Sequence, residues 1–184
     1  MTQGDTLDMT RRQMKSLRIR EPRASDGPQI HRLIDSVGAL DTNSLYCNLL
    51  QCSHFSATCA LAELDGKIVG WMSGYNPPGQ PDTLFVWQVC VHSAARGLGV
   101  GRRLITSVLE RPDGNSMRHV ECTITKSNSA SWSLFQSVAE TLDTDLKSQS
   151  HFLRDVHLDG QHESEIRVTI GPFAISPARA AKVA

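Results

Sequence analysis

Asp65 and Gly66 separate two apolar, β-rich runs, ATCALAEL and KIVGWMSGY, and so short a link leaves them no arrangement but an antiparallel hairpin. Asp-Gly suits the type I′ turn, in which both central residues take positive φ. The next segment, NPPGQPD, contains three prolines and a glycine and forbids regular structure. TLFVWQVCV then reads as a long, nearly continuous apolar strand of the kind that lies centrally in a sheet. A chain that spends its first strands on a hairpin lacks the strict strand-helix alternation of a doubly wound fold.

The flanks fit around this core. LRIREP alternates like a short strand that Pro22 ends, and Ser25 or Asp26 caps a helix carrying Ile30, Leu33, Ile34 and Val37, closed by Gly38. DTNSLYCNLLQCSHF predicts a second helix capped at Asp41 or Thr42. After the apolar strand come a glycine loop, a helix from about Gly99 to Glu110, a turn at RPDGN and a strand RHVECTIT. A helix opened by Ser127 or Asn128 carries Ala130, Leu134, Phe135 and Val138, and SEIRVTI closes the pattern as a last strand. The predicted order is β-α-α-β-β-β-α-β-α-β-β, an α+β arrangement within the α/β class. Residues 1–16 and 174–184 show no apolar periodicity and read as loose tails around one domain, 17–173.

The loop VHSAARGLGVGRRLI lies between strand and helix, where free backbone N–H groups and the helix N-terminus make an anion site. A Walker A loop is excluded, because no GK[ST] follows. A dinucleotide loop needs G-x-G-x-x-G, whereas Gly97, Gly99 and Gly101 are spaced G-x-G-x-G. Glu121 lies at a tolerable distance for the ribose acid of that motif, yet the preceding elements are hairpins. A glycine-rich turn with only a folding role also stands. Arg96-x-x-Gly99-x-Gly101 matches [RQ]-x-x-G-x-[GA], and in this the chain resembles the Gcn5-related N-acetyltransferases.

That resemblance implies their fold, a mixed, mostly antiparallel sheet of 6–7 strands with flanking helices and a splayed central strand pair. It also implies acetyl-CoA as co-substrate, its pyrophosphate on Arg96, Gly97, Gly99, Val100, Gly101 and Arg102. The backbone of Val89, Cys90 and Val91 pairs with the pantetheine arm, and an N–H there (Val89 is the first choice) polarises the thioester carbonyl. The helix start SNSASWSLF supplies Asn128, Ser131 and Phe135 to the cofactor. Family members commonly have tyrosine at the last position to protonate the leaving thiolate; phenylalanine does not, so another group donates or the thiolate leaves unassisted.

ALDTNSLYCNLLQCSHFSATC, GYNPPGQPDTLFVWQVCV and SNSASWSLF are also similar to the diaminobutyrate acetyltransferases of ectoine biosynthesis, from about Leu17 to Phe173. This narrower resemblance implies acetyl transfer to the 4-amino group of L-2,4-diaminobutyrate by a metal-free cytoplasmic homodimer. The residues suit a substrate with two ammonium groups and one carboxylate. Asp41, Asn43, Tyr46 and Trp87 form the expected acceptor side. Asp41 is either an ammonium partner or a helix cap, and Tyr46 and Trp87 are either pocket walls or core. His162 and Glu163 in QHESEI are the candidate proton acceptors by resemblance, with a solvated turn as the alternative.

Composition removes other classes. Formal net charge is zero, so no overall basic field recruits nucleic acid or anionic lipid. No continuous apolar segment predicts a secretory leader or a membrane span. The five cysteines are odd in number and lack zinc or CxxC spacing, which predicts a reducing cytoplasm. No G-x-S-x-G or HExxH supports a serine hydrolase or a metal enzyme. Two rivals keep the fold: transfer to another diamine, polyamine or protein amine, and a non-catalytic acyl-CoA sensor.

Overall fold

The computed structural model describes residues 16–38 and 42–174. Most of the expected N- and C-terminal tails, and Asp41, lie outside the described residues. Seven strands form one sheet in the order β1-β2-β3-β4-β5-β7-β6: β1 (Arg18–Arg20), β2 (Ala60–Leu64), β3 (Lys67–Tyr75), β4 (Thr83–Val91), β5 (His119–Thr125), β6 (Leu146–Phe152) and β7 (Glu165–Ile170). The β1–β2, β2–β3, β5–β7 and β6–β7 pairs are antiparallel, and β4–β5 is parallel. The helices are α1 (Gly27–Val37), α2 (Leu45–Ser53), α3 (Val100–Leu109), α4 (Ser129–Leu142) and a single turn α5 (Arg154–His157). The chain divides into two compact units.

The first unit runs to Ser73 and includes Gln88–Val108. Asp65 and Gly66 take φ of 50° and 76°, the positive values required by a type I′ turn, and Leu64 pairs with Lys67 across it. Trp71 is fully buried in a cluster with Ile30, Leu33, Ile34, Cys52, Leu61 and Cys90, which covers the apolar face expected for α1. Gly38 ends that helix at φ 63°. Arg20 grips Asp26 at 2.7 Å and Glu63 at 2.6 Å, tying β1, the turn before α1 and β2 together. On β3, a Cβ at Gly70 would lie 2.9 Å from Val100 Cγ1, 3.2 Å from Ala62 Cβ and 3.3 Å from Leu104 Cδ1. The missing side chain is what lets α3 sit against the strand.

The second unit contains Gly74–Trp87 and the chain from Leu109 onward. Val120, Cys122 and Ile124 of β5 and Val168 and Ile170 of β7 are buried, as are Phe135, Val138, Ala139 and Leu142 of α4. The alternate residues Glu121, Thr123 and Thr125 are half-buried, as a strand period of two requires. The parallel pairing of β4 with β5 covers only Thr83–Phe85 against His119–Glu121, although β4 continues to Val91 and β5 to Thr125. This is the splayed pair expected from the sequence. β6 was the element least visible in advance: it is an edge strand with no buried residue, so it carries no apolar alternation.

Candidate active site

In the first unit, β4 ends at Val91 and the chain turns through residues 92–99 into α3. Gly97 and Gly99 have φ of 76° and 66°, a conformation costly for any residue with a Cβ. Arg96 and Arg102 are exposed. Arg96 Nε donates weakly to the Val91 carbonyl at 3.4 Å, and Arg102 Nη2 would lie 3.6 Å from a Cβ on Gly99. Two guanidinium groups thus flank a left-handed glycine turn at the start of a ten-residue helix, which is the donor chemistry of a pyrophosphate site. Gly101 is not part of the turn; it lies in the first turn of α3 with Val100, whose side chain is buried. Cys90 is buried and its thiol is pushed up to about 12 by that burial, so the sulfur is not a reactive group here.

The first unit also carries α2. The sequence placed its cap at Asp41 or Thr42, but Ser44 is the cap, its Oγ accepting the Cys47 N–H at 3.1 Å. Serine in that position already satisfies the free N–H group, so the helix starts at Leu45. Tyr46 is 69% exposed, which rules out its reading as a core residue. Asn43 Nδ2 is buried with no hydrogen-bond partner among the described residues. Behind them, Asn48 Nδ2 donates to Gln51 Oε1 at 3.1 Å, and Asn48 Oδ1 lies 3.0 Å from His31 Nδ1, locking α2 to α1.

In the second unit, Trp87 is 50% exposed and stands edge-on to Tyr75 with ring centroids 6.5 Å apart; Tyr75 also packs on Phe85 at 5.2 Å. Trp87 is therefore a surface residue, not core. Asn128 Oδ1 accepts the Ser131 N–H at 3.0 Å and caps α4, while Phe135 is 4% exposed and packs inward. His162 and Glu163 are exposed on the segment before β7. Glu163 Oε1 accepts from Ser127 Oγ at 3.0 Å, and Ser127 Oγ lies 3.5 Å from Thr125 Oγ1. The QHESEI carboxylate is thus joined to the start of α4, two regions far apart in sequence. Arg154 anchors the approach to QHESEI, donating from Nε to Gly160 O at 3.0 Å and from its backbone to Ser164 Oγ at 2.9 Å.

The profile of the acetyltransferase (GNAT) family matches residues 28–139. The L-2,4-diaminobutyric acid acetyltransferase of Methylotuvimicrobium alcaliphilum is 48% identical over 153 residues, 83% of this chain and 89% of that protein. The protein of the same name from Chromohalobacter salexigens is 45% identical over 160 residues, 86% of this chain and 83% of that protein. The chain belongs to the diaminobutyric acid acetyltransferases of the GNAT family. Among solved structures, the diaminobutyrate acetyltransferase of Paenibacillus lautus, in complex with its substrate L-2,4-diaminobutyric acid and coenzyme A, is similar at TM-score 0.80 and 37% identity. That match covers 85% of this chain and 95% of the other.

Within this GNAT chain, sequence reading missed Tyr75 and Phe85 as partners of Trp87, and gave Glu121 only a rejected role. Phe85 and Trp87, spaced i and i+2 on one strand, were the available signal for the aromatic cluster. Glu121 gave no local signal, because its setting depends on which strands lie on either side of it. It lies opposite Phe85 on β4 and Thr169 on β7, and Thr169 Oγ1 donates to its Oε1 at 3.0 Å.

Proposed function

We propose that this chain transfers the acetyl group of acetyl-CoA to the 4-amino group of L-2,4-diaminobutyrate, giving the N4-acetyl compound that is cyclised in ectoine biosynthesis. The observation that carries this reading is the 48% identity to a diaminobutyric acid acetyltransferase over 83% of the chain, joined to a strand pair that parts after Phe85 and Glu121. Residues 17–173 constitute the transferase domain, which works as a cytoplasmic homodimer.

Arg96, Gly97, Gly99, Val100, Gly101 and Arg102 hold the pyrophosphate, and the backbone of Val89, Cys90 and Val91 lines the pantetheine arm. Asn128 and Ser131 contribute polar backbone and side-chain groups at the start of α4, and Phe135 contributes apolar packing. A backbone N–H at Val89 stabilises the charge that develops on the carbonyl oxygen. Asp41, Asn43, Tyr46 and Trp87 hold the 2-amino and carboxylate end away from the thioester, so that only the 4-amino group reaches it. A diaminobutyrate ammonium resembles that of lysine, with a pKa near about 10.4, and must lose a proton before it attacks. Glu163 and His162 accept that proton. The C–N bond forms as the C–S bond breaks, and the thiolate leaves with the electron pair.

NMR of the product from ¹³C-acetyl-CoA and diaminobutyrate reads donor, acceptor and regiochemistry together. A single N4-acetyl product, with ornithine, lysine and peptide amines turned over far more slowly, is the expected result. Acetylation at the 2-amino group, or cofactor binding with no turnover of any amine, overturns the proposal.

A further inference from the structure

The proline-rich loop between β3 and β4 is braced at several points. The Gln80 N–H donates to Pro77 O at 2.9 Å, with Pro78 and Gly79 between them and Gly79 at φ 79°. Proline at the second position and a positive-φ glycine at the third meet the demands of a type II turn. A second turn follows at once, the Thr83 N–H donating to Gln80 O at 3.2 Å across Pro81 and Asp82. Asn76 spans both turns: its Nδ2 donates to Thr83 O at 2.8 Å and lies 3.5 Å from Pro81 O. Asp82 O accepts from the backbones of Arg118 and His119 at 2.7 and 3.1 Å, which fastens the loop to the start of β5. Pro77, Pro78 and Pro81 have φ fixed by their rings, so the loop has few ways to move.

The residues that this loop brings together are aromatic. Tyr75 is the last residue of β3 and precedes Asn76, and Phe85 and Trp87 follow Thr83 on β4. The Tyr75 ring lies 5.2 Å from Phe85 and 6.5 Å from Trp87, at interplanar angles of 42° and 82°. The near-perpendicular contact is the edge-to-face arrangement that aromatic pairs favour, and it fixes the plane of the indole. Tyr75 and Phe85 are half-buried, whereas half of Trp87 stays exposed. An indole half in water contributes little to the core, yet two further rings and a braced loop fix its orientation. A pre-oriented, open indole is the aromatic surface that an organic ammonium binds best, at little ordering cost.

We infer that Tyr75 is a positioning residue for the acceptor: braced by the Asn76 loop and by Phe85, it holds the Trp87 indole in the orientation in which the exposed part of that ring binds the 2-ammonium of the substrate. This role rests on the proposed function, which gives Trp87 to the acceptor, and deepens it by naming what makes that residue selective. The ring quadrupole attracts the ammonium without taking a proton from it. The 2-amino nitrogen therefore stays protonated and unreactive while the 4-amino group is acetylated.

Fluorine NMR of the full chain labelled with 5-fluorotryptophan, with coenzyme A in place of acetyl-CoA, tests this without turnover. The tryptophans are Trp71, Trp87 and Trp132, and Trp87→Phe identifies the Trp87 line. Diaminobutyrate shifts that line in the wild-type chain and, at the same concentration, in Tyr75→Phe, which keeps the ring. Tyr75→Leu keeps apolar bulk without a ring and needs about three- to tenfold more diaminobutyrate for the same shift, the scale of one aromatic or cation–π contact. Its affinity for coenzyme A is unchanged. With acetyl-CoA it also releases some 2-acetyl product, a ratio that the amount of folded enzyme does not alter. Asn76→Asp, equal in size but lacking the N–H donors, weakens diaminobutyrate in the same direction and reads the same ring should Tyr75→Leu fail to fold. A Trp87 line indifferent to diaminobutyrate at concentrations that saturate turnover overturns the inference. So does wild-type affinity in folded Tyr75→Leu or Asn76→Asp, or a Tyr75→Phe defect as large as that of Tyr75→Leu. Failure of the wild-type chain to acetylate diaminobutyrate, whether or not the Trp87 line moves, counts instead against the proposed function.

Discussion

Asn128 and Ser131, both assigned to the cofactor from the sequence, are bonded to each other: the Asn128 carboxamide oxygen accepts the Ser131 N–H at 3.0 Å. The same pair therefore closes the first turn of α4. Asn128→Ala should cost about 1 kcal/mol of stability in urea unfolding, as loss of a helix cap does, whereas Asn128→Asp should retain it. An Asn128→Ala protein as stable as wild type would show that the cap contributes nothing.

The glycine turn makes a sharper prediction about the cofactor. Gly99 sits at φ 66°, so Gly99→Val strains the backbone by about 1–2 kcal/mol and displaces the N–H groups at the start of α3. KM for acetyl-CoA should rise while circular dichroism shows the fold intact. Arg96→Ala removes one charge-assisted contact and should weaken cofactor binding by about tenfold. Isothermal titration with coenzyme A measures both; unaltered affinity in folded Gly99→Val removes the loop from the cofactor site.

Stability should fall in acid for an identifiable reason. Hydrogen bonds from Arg20 hold the Asp26 and Glu63 carboxyls below their ordinary range, and the same bonds raise the Arg20 guanidinium. Carboxyls depressed in the folded state stabilise it above their unfolded pKa, near about 4, and that contribution is lost as pH falls through the lower folded values. Urea unfolding between about pH 7 and 2 should show this loss below about pH 4. Asp26→Asn with Glu63→Gln should flatten that limb by about 1 kcal/mol, the scale of partly solvated pairs. An unchanged acid limb in the double variant would assign it to other carboxyls.

Thiol reactivity should be confined to one position. Burial pushes Cys52 and Cys90 up to about 12 and raises Cys122, and Cys59 is fully buried, leaving Cys47 as the half-exposed thiol. A chromogenic disulfide reagent at neutral pH should modify Cys47 alone in the folded protein, and Cys47→Ser should abolish the fast phase. Rapid modification of Cys52, Cys59 or Cys90 would mean that the core around Trp71 opens far more readily than its packing implies.

The legible parts of this chain were those fixed by local chemistry. Asp65-Gly66 specified its hairpin because few dipeptides tolerate two positive φ angles, and Gly97 and Gly99 marked a tight turn between β4 and α3 because the backbone demands there are as narrow. Asn128 was legible as a cap for the same reason. Less legible were features that depend on neighbours distant in sequence. Ser44 displaced Asp41 and Thr42 as the α2 cap because several residues in a row were suitable, and it is the Ser44 hydroxyl that accepts the Cys47 N–H. β6 lacked an apolar face, so period-two reading had nothing to detect. Glu121 acquires its setting only once Phe85 and Thr169 are paired on either side of it, and no spacing along one strand reveals that.

Gly70 shows how far from a ligand its geometry is decided. Val100, Ala62 and Leu104 all stand within 3.3 Å of where its Cβ would be, and Val100 is the residue with which α3, the helix proposed to receive the pyrophosphate, begins. The height of that helix above the sheet is therefore set by side-chain volume underneath, independent of any charge in the loop. Positions 62, 70, 100 and 104 form a volume-coupled quartet: across relatives, a larger residue at one has to be matched by a smaller one at another. An uncompensated methyl group at Gly70 would lift the helix and register as a defect in cofactor affinity in a protein whose every cofactor contact is chemically intact.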